Sequence, residues 1–387
     1  MARGIPRIHV DLAALQHNLA VVRRHSPGAR VMAVVKADAY GHGALAIASS
    51  LAPAVDALAV ARLDEALRLR AGGIRTPIAV LEGIFDAEGL QLAAQLDLDL
   101  IVHDAFQVEL LERTSLPGRV RVWLKVDTGM GRLGVGVQAA GALWRRLSDC
   151  PAVAGPVGWM THLAHARRGA CPETDRQLSA LASASMGLAG PRNIANSAGI
   201  LAWPQTHADW VRPGIMLYGV SPFAGEEGAD IGLRPVMSLR SELIAVKALR
   251  AGDPVGYGGI WRAPRATRVG VVAAGYGDGY PRTLPGGTPV WVNGRFVPLV
   301  GRVSMDLLTV DLGPDAGDRV GSPVVLWGAG GPSVEALAAS IGTIGYELIC
   351  RITPRVPRIV LEGQIEGATD AQAYDSDQAL LRPGAQT

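Results

Sequence analysis

Residues 31–43 read VMAVVKADAYGHG: five apolar residues, a lysine, then a turn of small residues that carries Tyr40 and His42. A run of this kind, apolar without alternation and ended by a Gly-rich turn, is the signature of a strand buried on both faces of a parallel sheet. Seven further short β-rich runs follow, at Asp56–Val60, Pro77–Leu81, Asp97–Val102, Val120–Val126, Val157–Leu163, Arg192–Ala195 and Val211–Leu217. Helical patterns lie between most of them: Leu63–Arg70, Glu88–Gln95, Ala105–Arg113, Ala139–Leu147 and Thr174–Leu188. Eight β-α units over about 210 residues predict a TIM barrel. The eighth strand carries the thinnest signal, and a seven-unit open sheet is the competing count. Ahead of the barrel, Leu12, Leu15, Leu19 and Val22 recur at helical spacing after Asp11, which can cap the helix, and the pattern stops at Ser26-Pro27-Gly28.

After about residue 230 the texture changes. Short β-branched runs alternate with Gly/Pro turns at Ser238–Ala248, Thr267–Ala274, Pro289–Val292, Arg295–Val300, Leu307–Leu312 and Pro323–Trp327. Asn293-Gly294 between two such runs is a hairpin signal. One helix, Val334–Ser340, precedes a last β-rich run at Tyr346–Ile352. The expected organisation is α/β: a barrel over 9–230, a mainly β domain over 231–364, and a frayed polar tail over 365–387.

The chain has 387 residues, with 37 Lys and Arg against 35 Asp and Glu, for a formal net charge of +2. That balance, without any basic block, argues against a nucleic-acid binder. No apolar run reaches the ~18–20 residues of a membrane span, and MARGIPRIHVDLAAL lacks the charged-then-apolar pattern of a signal peptide. Cys150, Cys171 and Cys350 are odd in number and widely spaced, so disulfide and zinc readings are poor and buried free thiols in a reducing cytoplasm are expected. Only Lys36, Lys125 and Lys247 are lysines, against 34 arginines. A lysine that persists in such a chain is a candidate for amine chemistry.

Catalytic groups of a TIM barrel sit where strands end. The strand ends here carry Lys36, Glu82, His103, Asp127, His162, Asn196-Ser197 and Arg212-Pro213-Gly214. A lysine after five apolar residues is partly desolvated, which lowers its pKa and makes the amine a nucleophile; the competing reading is a lysine that snorkels or pairs with Asp38. The small turns at Asn196–Gly199 and Arg212–Gly214 expose backbone N–H groups where barrels commonly bind phosphate. A nucleophilic lysine opposite a phosphate cradle points to pyridoxal phosphate held as an internal aldimine. Arg132, in KVDTGMGRLG (125–134), suits a carboxylate or a phenolate oxygen, unless it is a solvated arginine beside a capping turn. Tyr257, Tyr276 and Tyr280 cluster in two Gly-rich turns of the β region, which favours function over core packing, and GRVSMD (301–306) adds an acid at a strand edge.

With these motifs in view the chain resembles the alanine racemase family. KADAYGHG, KVDTGMGRLG, MTH, NSAG, RPGIMLYG, VGYG, GYGDGY, GRVSMD and TIGYELIC stand in that family's order from about residue 5 to 362. The resemblance implies an N-terminal barrel and a β domain to which residues 1–8 contribute. It makes Lys36 the Schiff-base lysine. Tyr40, Ser197, Gly214, Ile215 and Tyr346 would hold the phosphate, Arg212 the pyridine nitrogen with His162 behind it, and Arg132 the phenolic oxygen and the substrate carboxylate. Tyr257 would be the second acid/base, delivered by the partner subunit of a homodimer together with Tyr276, Met305 and Asp306. Lys125 matches a position where relatives often carry an Nζ-carbamate. The implied activity is interconversion of L- and D-alanine, for peptidoglycan supply or alanine catabolism, with no metal, nucleic acid or membrane involved. A broad-specificity amino-acid racemase and a non-catalytic PLP-binding protein are the alternatives, and a decarboxylase on the same barrel is a remote one. Two departures stand out: Leu163-Ala-His-Ala-Arg-Arg168 replaces a segment more often acidic, and Ser304 stands where some members have cysteine.

Overall fold

The computed structural model describes residues 4–362; the expected tail at 365–387 lies outside them. Eight parallel strands close into a barrel: Arg30–Val34, Ala57–Val60, Ile78–Val80, Leu98–Val102, Val122–Asp127, Gly158–Met160, Arg192–Asn193 and Trp210–Val211. The ring closes where Trp210 and Val211 pair in parallel with Arg30 and Val31. Each expected barrel run thus holds a strand, and the eight-strand count stands over seven. Most strand residues are buried, because side chains of one face fill the barrel and those of the other pack under helices. The last two strands are only two residues long. Past Trp210–Val211 the chain passes through Pro213, which has no N–H for a ladder, and Ile215–Tyr218 winds into a 3₁₀ turn. The helix expected to reach Leu188 ends at Ala184, where Ser185–Gly187 turns with Gly187 at φ +72°.

The second unit is built on an eight-stranded sheet in the order Thr267–Val272, Leu308–Gly313, Arg295–Val300, Pro289–Val292, Pro323–Trp327, Met237–Leu249, Arg7–Asp11 and Arg358–Leu361. Thr267–Val272 also pairs antiparallel with Met237–Leu249, which rolls six of these strands into a closed ring. Asn293 and Gly294 join Val292 to Arg295 with φ of 46° and 96°, as a primed two-residue hairpin requires. Arg7–Asp11 pairs in parallel with Arg358–Leu361, so the two ends of the described chain lie side by side.

Among the described residues the compact units are 14–237 with 333–352, and 4–13 with 238–332 and 353–362. Residues 333–352, read from sequence as part of the β domain, pack in the barrel unit. Glu335 Oε1 accepts the N–H groups of Ser221 and Gly228, both at 2.9 Å, and Ser333 donates to Glu227 at 2.6 Å. The run expected as β at Tyr346–Ile352 is a helix, Gly345–Cys350. Glu347 and Leu348 are good helix formers and Ile344 enters in an extended conformation, so the β-branched and aromatic residues misled the reading. A helix at Ala44–Leu51 is another element that the Gly-rich turn before it concealed.

Candidate active site

The turn after the first barrel strand is the least ordinary piece of backbone in the molecule. Ala37, Asp38, Ala39 and Tyr40 have φ of 54°, 54°, 52° and 53°, a full turn in the left-handed region with no glycine in it. Each such residue costs about 1–2 kcal/mol, so the surroundings must hold it. Glu65 accepts the Ala37 N–H at 2.7 Å, and Asp38 Oδ1 accepts the Ala44 N–H at 2.8 Å. The helix Gly345–Cys350 packs against the same turn. The conformation puts Lys36 and Tyr40 on the wall of one cavity of about 480 Å³ at the C-terminal ends of the strands.

That cavity gathers Lys36, Tyr40, Lys125, Arg132, His162, Ser197, Arg212, Gly214, Ile215 and Tyr346, all from the barrel unit. The Lys36 amine is held below its usual value, first by burial and then by Arg132, with Glu82 opposing. Lys125, buried on the fifth strand, is pushed down to about 8 by burial and by Arg212, Arg132 and Lys36. Arg212 is buried and donates to Asn193 Oδ1 at 2.5 Å, to the Thr161 carbonyl at 2.8 Å and to His162 Nδ1 at 3.4 Å. Burial lowers Arg212 to about 10, which leaves it a cation at neutral pH. Burial and Arg212 push His162 down to about 2, so its ring is neutral and accepts rather than competes as a second charge. Gln177 steadies His162 by donating to its carbonyl at 3.0 Å.

Opposite these cations lies a neutral cradle. Ser197 Oγ accepts the N–H groups of Gly214 at 3.0 Å and Met216 at 3.4 Å, which leaves its own hydrogen to donate elsewhere. Tyr40 stacks on Tyr218 at 4.7 Å and lies 6.2 Å from Tyr346. Burial pushes both cavity phenols, Tyr40 and Tyr346, well up, so they stay protonated donors. A Cβ on Gly214 would come within 2.5 Å of the Tyr40 hydroxyl, so only glycine allows this approach. Arg132 is delivered by a tight loop in which Asp127 Oδ1 accepts the N–H groups of Gly129, Met130 and Gly131. Among the described residues its guanidinium has no hydrogen-bond or ion-pair partner.

The remaining expected residues sit on the β unit. Tyr257, Tyr276 and Met305 are exposed by 64%, 39% and 54%, far above core side chains. The turns bearing Tyr276 and Met305 are tied together: the Tyr276 N–H donates to Ser304 O at 3.0 Å, and Gly277 N–H to Met305 O at 2.8 Å. Arg355 bridges Asp306 and Asp278, both at 2.7 Å. Tyr280, grouped with these tyrosines in the sequence reading, is instead fully buried and stacks on Trp327 at 5.9 Å. Cys350 corrects the expectation of three buried thiols: Cys150 and Cys171 are buried, but Cys350 opens into the cavity, its thiol pushed up to about 11 by desolvation. Asn193, Gln177 and Glu65 escaped the sequence reading, since each acts by holding a neighbour and none lies in a diagnostic motif.

A parallel barrel whose strand ends gather a desolvated lysine, guanidinium groups and neutral donors around one cavity has the build of a barrel enzyme. Residues 10–222 match the family model for the alanine racemase N-terminal domain, and residues 236–360 that for the C-terminal domain. The chain therefore belongs to the alanine racemase family. It is 55% identical over 351 residues to an alanine racemase of Shewanella baltica, covering 91% of this chain and 98% of that one. An alanine racemase of Aeromonas hydrophila is 54% identical over 347 residues, 90% and 97% of the two chains. Among solved structures, the biosynthetic alanine racemase of Pseudomonas aeruginosa superposes with a TM-score of 0.88 at 45% identity, covering 93% of this chain and all of that one.

Proposed function

We propose that this protein racemises alanine with pyridoxal phosphate as its cofactor. The observation that carries the reading is the single cavity in which the Lys36 amine faces Arg132, the Arg212–His162 pair and the cradle of Tyr40, Ser197, Gly214, Ile215 and Tyr346. These residues fit the cofactor. The cradle offers protonated hydroxyls suited to a phosphate, Arg132 supplies a cation for the phenolic oxygen, and Lys36 is the amine for the carbonyl. When bound, pyridoxal phosphate supplies the electron sink that makes the α-proton of an amino acid removable.

The rest is work for the chain's own side chains. Arg132 binds the substrate carboxylate. Arg212, a cation at neutral pH, keeps its protons and so does not protonate a pyridine nitrogen placed against it, which restrains side reactions at some cost in α-carbon acidity. Inversion needs a proton taken from one face and returned on the other. The Lys36 amine serves one face, and the Tyr257 phenol the other. Tyr257 comes from the partner subunit of a homodimer, with Tyr276, Met305 and Asp306 beside it; its exposure on the β unit supports that assignment. Lys125 carries a carbamate that orients Arg132. No helix among the described residues is long and apolar enough to cross a membrane, and a cytoplasmic location goes with the proposed role of supplying or consuming D-alanine. A chiral assay over a panel of amino acids should show alanine turned over fastest, with serine the informative rival. Lys36→Ala should lose the cofactor absorbance and the activity together; a variant that keeps the absorbance overturns the assignment of Lys36.

A further inference from the structure

Glu82 and His103 each end a barrel strand, and the reaction as described gives neither of them work. Glu82 is the one carboxylate among the described residues lining the cavity, whose other charged walls are Lys36, Lys125, Arg132 and Arg212. Its carboxylate has no hydrogen-bond or ion-pair partner among the described residues. The turn that bears it is built with care. His103 Nε2 donates to the Glu82 carbonyl at 2.9 Å, and Gln107 Oε1 accepts the His103 N–H at 2.8 Å. Gln107 Nε2 donates to the Ile84 carbonyl at 3.3 Å. Gly83 takes φ +74°, and a Cβ there would come within 2.3 Å of Gln107 Nε2. His103 and Gln107 are thus two buried polar side chains spent on fixing one turn.

We infer that Glu82 is a positioning residue whose carboxylate, fixed by the His103–Gln107 pair, holds the proton on the Lys36 nitrogen. The inference rests on Lys36 being the cofactor-bearing amine. The groups around Lys36 explain why such a counterweight is needed. Arg132 from the loop after the fifth strand and Arg212 from the eighth strand both drive the proton away. His162 is neutral, and Tyr40, Tyr346 and Cys350 stay protonated, so none of these supplies a negative charge. Glu65, the other carboxylate that acts on Lys36, is committed to the N–H groups of Ala37, Ala61 and Arg62. Among the described residues Glu82 alone lines the cavity with an unpartnered carboxylate, and a carboxylate near an ammonium favours the charged form.

The test compares the unsubstituted holoenzyme with Glu82→Gln, which keeps the shape and removes the charge, and with Glu82→Asp. In Glu82→Gln the long-wavelength absorbance of the Lys36-bound cofactor should fade at lower pH than in the parent, and Glu82→Asp should recover part of the difference. A second reading needs no cofactor: acetylation of Lys36 by acetic anhydride against pH, followed by peptide mass, should begin at lower pH in Glu82→Gln. Superimposable curves in the acetylation series overturn the role of Glu82. An unsubstituted chain that never acquires the absorbance overturns the cofactor reading instead, and the acetylation series still decides on Glu82.

Discussion

At the scale of single residues, Lys125 shows how a side chain can be costly and useful at once. Its folded pKa of about 8 lies below the ordinary 10.5, so the unfolded chain binds that proton more tightly. The buried ammonium therefore costs the fold about 3 kcal/mol below pH 8. The cost fades between pH 8 and 10.5, where the folded chain has released the proton and the unfolded chain still holds it. Lys125→Met should accordingly be more stable than the parent at pH 7 in buffer free of carbon dioxide, with the difference gone in strongly alkaline solution. Carbon dioxide offers another exit: the neutral amine attacks its carbon, a proton leaves to solvent, and a cation crowded by Arg132 and Arg212 becomes an anion between them. Bicarbonate should then raise the melting temperature of the parent and leave that of Lys125→Met unchanged. A parent that ignores bicarbonate sinks the carbamate. The motif made Lys125 conspicuous in the sequence, yet the sequence could not show its three cationic neighbours, which come from the first and eighth strands and from a loop.

At the scale of elements, the barrel strands were legible because most are short, largely apolar runs, and burial on both faces writes that pattern directly. The left-handed turn at Ala37–Tyr40 was not. Alanine and tyrosine are poor at positive φ, so local preference at three of the four residues points away from the conformation adopted, and long-range holds from Glu65 and Gly345–Cys350 help to enforce it. Strain kept at a turn that lines a cavity is a common accompaniment of function. It has a measurable sign. In an ordinary exposed right-handed helix, Ala→Gly costs about 1 kcal/mol. Ala37 is exposed and sits at φ 54°, where glycine relieves a penalty of about 1–2 kcal/mol while losing roughly 0.5–1 kcal/mol to the entropy of the unfolded chain. Ala37→Gly should therefore leave the melting temperature unchanged or raise it slightly. A drop of the usual helical size would mean that the turn is not left-handed in solution. Gly345–Cys350 failed to show in the sequence for a related reason: six residues are too few to display a helical period, and what fixes them is the turn they cover.

At the scale of the whole molecule, the two units carry the two sets of residues that the proposed chemistry uses. The barrel unit holds Lys36, the cradle and Arg132, while the β unit presents Tyr257, Tyr276 and Met305 exposed, the last two on turns tied to each other. The sequence showed both sets as motifs, but it could show neither which side chains share a cavity nor that Tyr280 would be drawn into the core while Tyr257 stayed outside. Exposed phenols and a thioether are expensive to leave in water, and a second copy of the chain covering them with its barrel unit would make one complete site from two subunits. Such a site obeys a count. Lys36→Ala and Tyr257→Ala homodimers each lack one of the two bases at every site and should be nearly inactive. In a mixture of the two that exchanges subunits, half the dimers are mixed, and each mixed dimer has one site with both bases and one with neither. Activity should then recover to about a quarter of the parent value per subunit, the share expected of a two-fold symmetric dimer with shared sites. Sites completed within one chain would recover nothing, however long the subunits exchange. Equal mixing with subunit exchange verified by mass labels therefore separates the two arrangements, and an inactive mixture of well-folded, exchanging chains would exclude the shared site.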